Sequence, residues 1–303
     1  MKDLTNDIIV HKNINGTEFV QFKRLIEFPN LKHCYTLRKN GINVQVKSGD
    51  KTELLESYKK VLDSLNNDEK SNFSSNNLNQ ENNLKIENIG SIKQMESLQK
   101  DKTFTISNIV KPHQTHTDKV EVVNSTSDTF ENVDGVITNK ENILLCTSSA
   151  DCTSLFFYDD EKKVIGDVHS GWRGTLQKIG KKAVEKMISE YDCKPENIIC
   201  CISPCIKKCH FEVEEDVMQM FKNEFAYTSR IDEIIEKGKV VDGIQKYNID
   251  TTLINKIILA EVGLQESNII DSNICTVCDS DLFHSFRADG DASGRNGAFI
   301  GMM

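Results

Sequence analysis

The sequence contains no long apolar run. None of the hydrophobic stretches in its 303 residues approaches the roughly 20 residues that a helix needs to cross a bilayer. Residues 1–13 also lack an apolar core of the length found in secretory signals. We therefore expect a cytoplasmic protein without a membrane partner.

Long basic runs are absent as well. The chain carries 37 Lys and Arg against 46 Asp and Glu, for a formal net charge of -9. This balance argues against nucleic acid or an anionic membrane surface as the main partner. Hydrophobic residues make up 38% of the chain and charged residues 27%, as in ordinary soluble globular proteins. The length suffices for a sizeable core, in one large domain or two small ones.

The ten cysteines are not expected to form disulfides in a reducing cytoplasm, so they indicate free thiols or metal ligands. Six of them fall in two short segments: Cys200, Cys201, Cys205, Cys209, Cys275 and Cys278. Their spacing is compatible with a structural zinc site. The paired Cys-x-x-Cys knuckles of a zinc ribbon are missing, however, and we predict buried small apolar residues instead.

Hydrophobic periodicity predicts a mixed α/β (α+β) fold, with strands around the site and helices outside. The start of the chain predicts strands at residues 8–10, 19–22 and 44–46, followed by an amphipathic helix over 50–65. The polar, Asn-rich residues 66–88 predict a mobile surface insertion. Later strands are predicted at 136–138, 143–146 and 198–202, and later helices at 176–188, 214–225 and 251–262.

The stretch from residue 146 to residue 175 is the part of the chain that carries most of the chemistry. Two apolar segments, 154–158 and 164–168, flank a charged run that is typical of a turn. If the two segments pair as a hairpin, Cys152 at the start of the first and His169 at the end of the second lie at the same end of that hairpin. A thiol and an imidazole brought together in this way can serve a metal or a nucleophile.

Three residues have the right types to bind a metal ion: His116, Cys152 and His169. Two imidazoles and a thiolate give three protein ligands, and zinc held by three protein ligands keeps a fourth position for water, the catalytic pattern. The same residues also allow a metal-free hydrolase, in which Cys152 is the nucleophile and His169 its base. A non-catalytic zinc-binding module is a further alternative.

Copper oxidase chemistry is a less favoured alternative. The chain has seven histidines and no His-x-His pair, too few and too scattered for a multicopper cluster plus a blue-copper site.

Arginines supply candidates for an anion pocket. Arg173 follows a Gly-Trp turn at a predicted helix start and is the favoured phosphate ligand. Arg287 and Arg295 are further candidates.

Six short motifs in order give the chain a family resemblance. They are Gln114-Thr115-His116, Asp134-Gly135-Val136, Ala150-Asp151-Cys152, His169-Ser170-Gly171-Trp172-Arg173-Gly174, Phe211-Glu212-Val213, and Phe283-His284-Ser285-Phe286-Arg287 to Gly294-Arg295. Over roughly residues 100–303 the sequence resembles the polyphenol oxidoreductase/laccase-domain family, which is now regarded as purine nucleoside phosphorylases.

The resemblance implies a single domain over residues 1–303, with a central β-sandwich flanked by helices. It implies zinc, rather than copper, held by His116, Cys152 and His169. The implied activity is phosphorolysis of adenosine, inosine and methylthioadenosine, with some adenosine deamination. A bacterial branch of the family is linked to editing of peptidoglycan precursors. We expect a purine nucleoside and phosphate as the binding partners, and a monomer.

The sequence departs from the family pattern at some positions. The Thr-Arg-x-Gly-Gly signature is reduced to residues 36–41, and Ser154 and Ser170 replace a usual proline and alanine. The family pattern places the ligand at His116. His113, three residues earlier, is predicted to be a wall or surface residue, because an extended backbone points residues three apart to opposite faces.

Overall fold

The computed structural model describes residues 2–45, 51–68 and 103–303. Its strands are β1 Ile9–Ile14, β2 Thr17–Phe22, β3 Leu31–Thr36, β4 Ile109–Val110, β5 Val120–Val122, β6 Gly135–Thr138, β7 Leu144–Ser149, β8 Thr153–Asp159, β9 Val164–Ser170, β10 Ile199–Ile202, β11 Glu212–Val213, β12 Ile235–Val241, β13 Ile244–Ile249, β14 Ile269–Asp271 and β15 Asn296–Met302. Its α-helices are α1 Lys23–Ile26, α2 Thr52–Asn67, α3 Trp172–Leu176, α4 Ile179–Tyr191, α5 Glu215–Glu224, α6 Ile231–Ile234, α7 Thr251–Glu261 and α8 Phe286–Asp289.

Two six-stranded sheets pack face to face. Their strand orders are β1-β2-β3-β15-β7-β4 and β14-β10-β8-β9-β6-β5, and both are mixed, with mainly antiparallel pairs. Apolar side chains from both sheets meet in one buried cluster that includes Tyr35 and Ile300 of the first sheet and Phe156 and Ile165 of the second. The alternation of side chains along each strand explains why one face of each sheet enters this core.

Helices cover the outer faces of the sandwich. Helix α2 packs Tyr58 and Leu62 with Phe299 of the first sheet, and helix α4 packs Met187 with Phe157 of the second. A small third sheet, β11-β13-β12, has its own apolar cluster with α5 and α7. The predicted mixed α/β fold with sheets flanked by helices is therefore confirmed. No helix in the described ranges has the length and apolarity to cross a membrane.

The structure differs from the predicted elements at three places. The predicted strand at 44–46 is wrong for Val44 and Gln45, which lie in no strand, and residue 46 lies outside the described ranges. Helix α2 extends to Asn67, so the predicted insertion does not begin at residue 66. The side chain of Asn66 exchanges hydrogen bonds with the backbone of Phe104 and so joins the end of α2 to the returning chain. Residues 69–88 of the insertion lie outside the described part of the chain.

The predicted helix at 176–188 is two helices, α3 and α4. Lys178 separates them with a left-handed φ of 60°. The predicted hairpin is confirmed, because β8 and β9 pair antiparallel with Ser154 opposite His169. Cys152 and His169 therefore lie at the same end of this hairpin, whose strands are central in the second sheet.

A buried carboxyl group between the sheets makes stability depend on pH. Asp167 on β9 accepts hydrogen bonds from the backbone N–H and the hydroxyl of Thr147. Burial nevertheless raises its pKa from 3.8 to about 7. Between those values the folded chain keeps a proton that the unfolded chain has lost, so stability falls as pH rises from about 4 to about 7.

Replacing Asp167 by asparagine should remove this contribution, since an amide does not titrate. Urea unfolding of both proteins at pH 5 and pH 7 measures it. The wild type should lose about 2 kcal/mol more than Asp167→Asn over that interval. Parallel pH profiles for the two proteins would contradict the assignment.

Candidate metal centre and cavity

The open end of the β8–β9 hairpin and one loop bring three metal-binding side chains together. Cys152 precedes β8, His169 lies near the end of β9, and His116 lies in the loop between β4 and β5. One ligand atom from each lies within 4.8 Å of the others. The Cys152 Sγ is 3.9 Å from the His116 Nε2, and the two imidazole rings are perpendicular, with centroids 5.0 Å apart. The three residues proposed from the sequence are thus adjacent in space.

Asp134 connects the buried histidine to the loop that carries His116. Its Oδ2 lies 2.7 Å from His169 Nδ1, and both side chains are buried. The same carboxylate accepts hydrogen bonds from the backbone N–H groups of Thr115, His116 and Thr117. A carboxylate on Nδ1 fixes the proton there and leaves Nε2 free to bind a metal.

The electrostatics of the group favour the metal-binding form of the thiol. Burial alone would raise the pKa of Cys152, but the charge on His169 and hydrogen bonding from both histidines lower it to about 6. Burial likewise opposes the charged form of His169, whereas the Cys152 thiolate and Asp134 raise its pKa. Asp134 itself is buried, yet the hydrogen bond and charge of His169 lower its pKa to about 2. Cys152 is therefore largely a thiolate at neutral pH, and a thiolate is the form that binds metal.

The donor set fits a transition metal with an open coordination position. Among the residues that the structure describes, no fourth Cys, His, Asp or Glu joins the three. Cys146 is buried in β7 and its thiol donates to the Thr147 carbonyl oxygen. His113, which is exposed, pairs through Nδ1 with Glu131 at 2.7 Å and lies outside the group, as predicted.

Glycine at position 171 leaves the space in which the group assembles. A Cβ at this position would lie 2.7 Å from His116 Cδ2 and 3.3 Å from Cys152 Sγ. The first distance is shorter than any normal contact, so one of the two ligands would have to move. The backbone at Gly171 has φ -67°, which any residue adopts, so the requirement for glycine is one of space alone.

Alanine at position 171 should therefore weaken metal binding without unfolding the protein. We expect at least about a tenfold loss of zinc affinity, similar to the loss of a residue that orients a ligand. Competition with a chromophoric chelator measures the affinity, and the melting temperature of the metal-free protein serves as the control. Unchanged affinity in Gly171→Ala would show that the group does not assemble in this geometry.

The three residues line a cavity of about 860 Å³. Its wall has an apolar part that includes Ile206, Phe211, Val213 and Trp172, and a polar part that includes Ser148, Ser149, Gln114 and Thr153. The cavity is of the size that binds small organic ligands. It is thus large enough for a substrate next to the metal-binding group.

Three cationic side chains line the cavity. They are Lys111 in a loop, and Arg287 and Arg295 near the C-terminus. Two guanidinium nitrogens of Arg287 donate to the carbonyl oxygens of His210 and Glu212. Arg173 is not among the lining residues. Its side chain is exposed, with the guanidinium carbon 4.1 Å from the Trp172 ring centroid, so its predicted role in binding phosphate stays a prediction.

Three residues with an evident structural role at the site were not identified from the sequence as site residues. Besides Asp134, Asp151 has a left-handed φ of 83° and accepts hydrogen bonds from Thr276 Oγ1 and the Arg287 backbone. Gln114 bonds the backbone of Ser148 through both ends of its amide. Each belongs to a motif noted in the sequence, but their functions depend on partners 17 to 136 residues away.

Comparison with known proteins agrees with this fold. A family model described as "Multi-copper polyphenol oxidoreductase laccase" matches residues 64–303. The chain is 32% identical to the purine nucleoside phosphorylase YlmD of Bacillus subtilis over 169 aligned residues, which make up 56% of this chain and 58% of that protein. It is 28% identical to adenosine deaminase RL5 from an unknown prokaryotic organism over 199 aligned residues, which make up 63% of this chain and 73% of that protein. The crystal structure of YlmD from Geobacillus stearothermophilus superimposes with a TM-score of 0.75 at 20% identity, covering 99% of both chains.

Proposed function

The chain belongs to the family described as "Multi-copper polyphenol oxidoreductase laccase", and it is similar to proteins named purine nucleoside phosphorylase. We propose that its cavity is the active site of a zinc-dependent purine nucleoside phosphorylase. A phosphate oxygen attacks C1′ of the ribose, and the bond from C1′ to the purine nitrogen breaks. The purine leaves with that electron pair and takes up a proton. The products are the free base and ribose 1-phosphate.

One observation carries this proposal: His116, Cys152 and His169 face the cavity as a three-ligand group with no fourth donor among the described residues. Zinc held by these three residues would supply a Lewis acid next to the substrate. Asp134 holds the proton of His169 at Nδ1, so that Nε2 stays available. The relatives' names support purine chemistry.

The two parts of the cavity wall suit the two parts of the substrate. The apolar part, with Phe211 and Trp172, offers contact for the faces of a purine ring. Arg287 and Arg295 offer fixed cationic groups for phosphate. Arg287 is oriented by hydrogen bonds to two carbonyl oxygens, which reduces the conformational entropy lost when an anion binds.

Substituting the arginines should identify the phosphate site. Arg295→Met should raise KM for phosphate by about tenfold or more, while KM for the nucleoside changes little, because a charged hydrogen bond to phosphate is worth about 1.5–3 kcal/mol. Arg173→Met is the matched control outside the wall of the cavity. Initial rates at varied phosphate and saturating inosine measure the effect. A larger effect of Arg173→Met would instead support the phosphate ligand favoured from the sequence.

The direct assay of the proposed function uses three nucleosides. Purified protein is incubated with adenosine, inosine or methylthioadenosine, with and without phosphate, and base and ribose 1-phosphate are quantified. Base release that requires phosphate is the expected result. Conversion of adenosine to inosine in the same samples would reveal the proposed adenosine deaminase activity. Absence of phosphate-dependent base release from every purine nucleoside would reject the proposal.

Two other chemistries make different predictions for this site. A Cys–His hydrolase, for example one that edits peptidoglycan precursors, keeps its activity after chelation and loses it when Cys152 is alkylated. A copper polyphenol oxidase needs a cluster of histidines, whereas only three of the seven histidines, His113, His116 and His169, line the cavity. His33 and His284 hydrogen-bond to backbone groups elsewhere, which favours zinc over copper.

A further inference from the structure

The cysteines predicted to be buried divide into two sets. Cys200, Cys201 and Cys205 are buried, as predicted. The prediction is wrong for Cys209 and Cys278, which are exposed. With His210 and the buried Cys275, these two exposed thiols form a second group of four metal-binding side chains.

The four ligand atoms have the spacing of a tetrahedral metal site. Zinc bonded to sulfur at about 2.3 Å and to nitrogen at about 2.0–2.1 Å places sulfurs about 3.8 Å apart and sulfur about 3.6 Å from nitrogen. The Cys209 and Cys278 sulfurs are 3.9 Å apart. His210 Nδ1 lies 3.2 Å from the sulfur of Cys209, 3.6 Å from that of Cys275 and 3.5 Å from that of Cys278.

We propose that Cys209, His210, Cys275 and Cys278 bind a zinc ion as a closed structural site. Four protein ligands of the type Cys₃His leave no position for water, in contrast to the three-ligand group in the cavity. The site is not the paired-knuckle pattern of a zinc ribbon. It combines one Cys-x-x-Cys turn with an adjacent Cys-His pair from a distant segment.

The fold prepares this site through backbone contacts between the two segments. Cys205 and Cys275 form a parallel bridge, in which the Cys205 N–H donates to Ile274 and the Thr276 N–H donates to Cys205. These contacts hold the two ligand-bearing segments next to each other.

The zinc site would support one wall of the cavity. The carbonyl oxygen of the ligand His210 accepts a hydrogen bond from Arg287 at 2.6 Å. Thr276, between the two ligands of the turn, donates to Asp151 at 2.6 Å, and Asp151 precedes Cys152. Phe211 directly follows His210 and lines the cavity. An ion that joins the two segments therefore fixes the backbone from which Arg287, Asp151 and Phe211 are positioned.

A disulfide is the competing explanation for the exposed thiols. Cys209 and Cys278 would have to approach from 3.9 Å to the bonded distance of about 2.05 Å. That bond would remove two of the four ligands. Metal content and disulfide content therefore distinguish the two cases.

The test is the zinc content per chain of protein purified under reducing conditions, measured by elemental mass spectrometry. Cys275→Ser should bind one ion fewer than the wild type, and so should His116→Ala, and the double variant should lose both. Cys200→Ala, a buried cysteine outside the group, should match the wild type. Unchanged zinc content in Cys275→Ser would overturn the proposal.

A measurement on the wild type covers the case in which Cys275→Ser does not fold. Cobalt added to the metal-free protein should give a thiolate charge-transfer absorption from a tetrahedral site with several sulfurs, and this absorption should persist in His116→Ala. Cobalt absorption that disappears entirely in His116→Ala would overturn the proposal. So would peptide mass spectrometry that finds a Cys209–Cys278 disulfide in freshly purified, reduced-buffer protein. These readouts do not use enzyme activity, so they stand apart from the proposed function.

Discussion

Serine in place of Cys152 should remove the metal from the cavity and lower phosphorolysis by at least about 100-fold. The residue would supply the thiolate of the proposed three-ligand group, and its pKa of about 6 favours the anionic form at neutral pH. Loss of a residue that merely orients a ligand typically costs 10–100-fold, so loss of a ligand should cost more. Zinc content and kcat/KM for inosine measured on the same preparation test this prediction.

The matched pair His116→Ala and His113→Ala provides the control. The two histidines lie three residues apart in one loop, but only His116 belongs to the group. His113 instead pairs with Glu131 at the surface. Zinc should be lost from the cavity in His116→Ala and retained in His113→Ala. Equal zinc loss in the two variants would overturn the ligand assignment.

Asparagine in place of Asp134 should weaken zinc binding in the cavity by about 10–100-fold, the range seen for partners of metal-binding histidines. The substitution removes the buried negative charge that fixes the proton of His169 at Nδ1. The Asp134 carboxylate accepts backbone hydrogen bonds from Thr115, His116 and Thr117 through both of its oxygens. The asparagine amide has one acceptor oxygen and cannot accept all of these bonds in the same way. Both changes disturb the geometry of His116 and His169.

A carboxylate nearby in sequence supplies the comparison for Asp134. Asp118 pairs with Lys182 at the surface, so Asp118→Asn should keep the zinc affinity of the wild type. Titration against a competing chelator at fixed pH measures both variants. Wild-type affinity in Asp134→Asn would show that His169 is oriented without this carboxylate.

The hairpin could be predicted because its signal is local. Two apolar segments with a charged turn between them specify an antiparallel pair, and the pairing of Ser154 with His169 then follows. The helix boundaries near Glu214 and Thr251 were predicted to within one residue, because apolar periodicity and flanking turn residues fix them.

Other features could not be predicted because they depend on distant partners. Asp134 looks like a turn residue until His169 is placed 35 positions later against it. The zinc site proposed at Cys209 and Cys275 joins segments that share no spacing rule. For Arg173, a favourable local sequence suggests an anion ligand, whereas its side chain stacks on Trp172 outside the cavity wall, so this role stays a prediction.

The zinc dependence of phosphorolysis is the most direct test of the proposed function. Metal-free protein, prepared by chelation and checked for retained fold by circular dichroism, is mixed with inosine and phosphate, and ribose 1-phosphate is followed by phosphorus NMR. Product should form only after zinc is restored, and chelated Cys152→Ser should stay inactive when zinc is added. Full turnover by the metal-free wild type, or product formation that does not consume phosphate, would contradict a zinc-dependent phosphorylase at His116, Cys152 and His169.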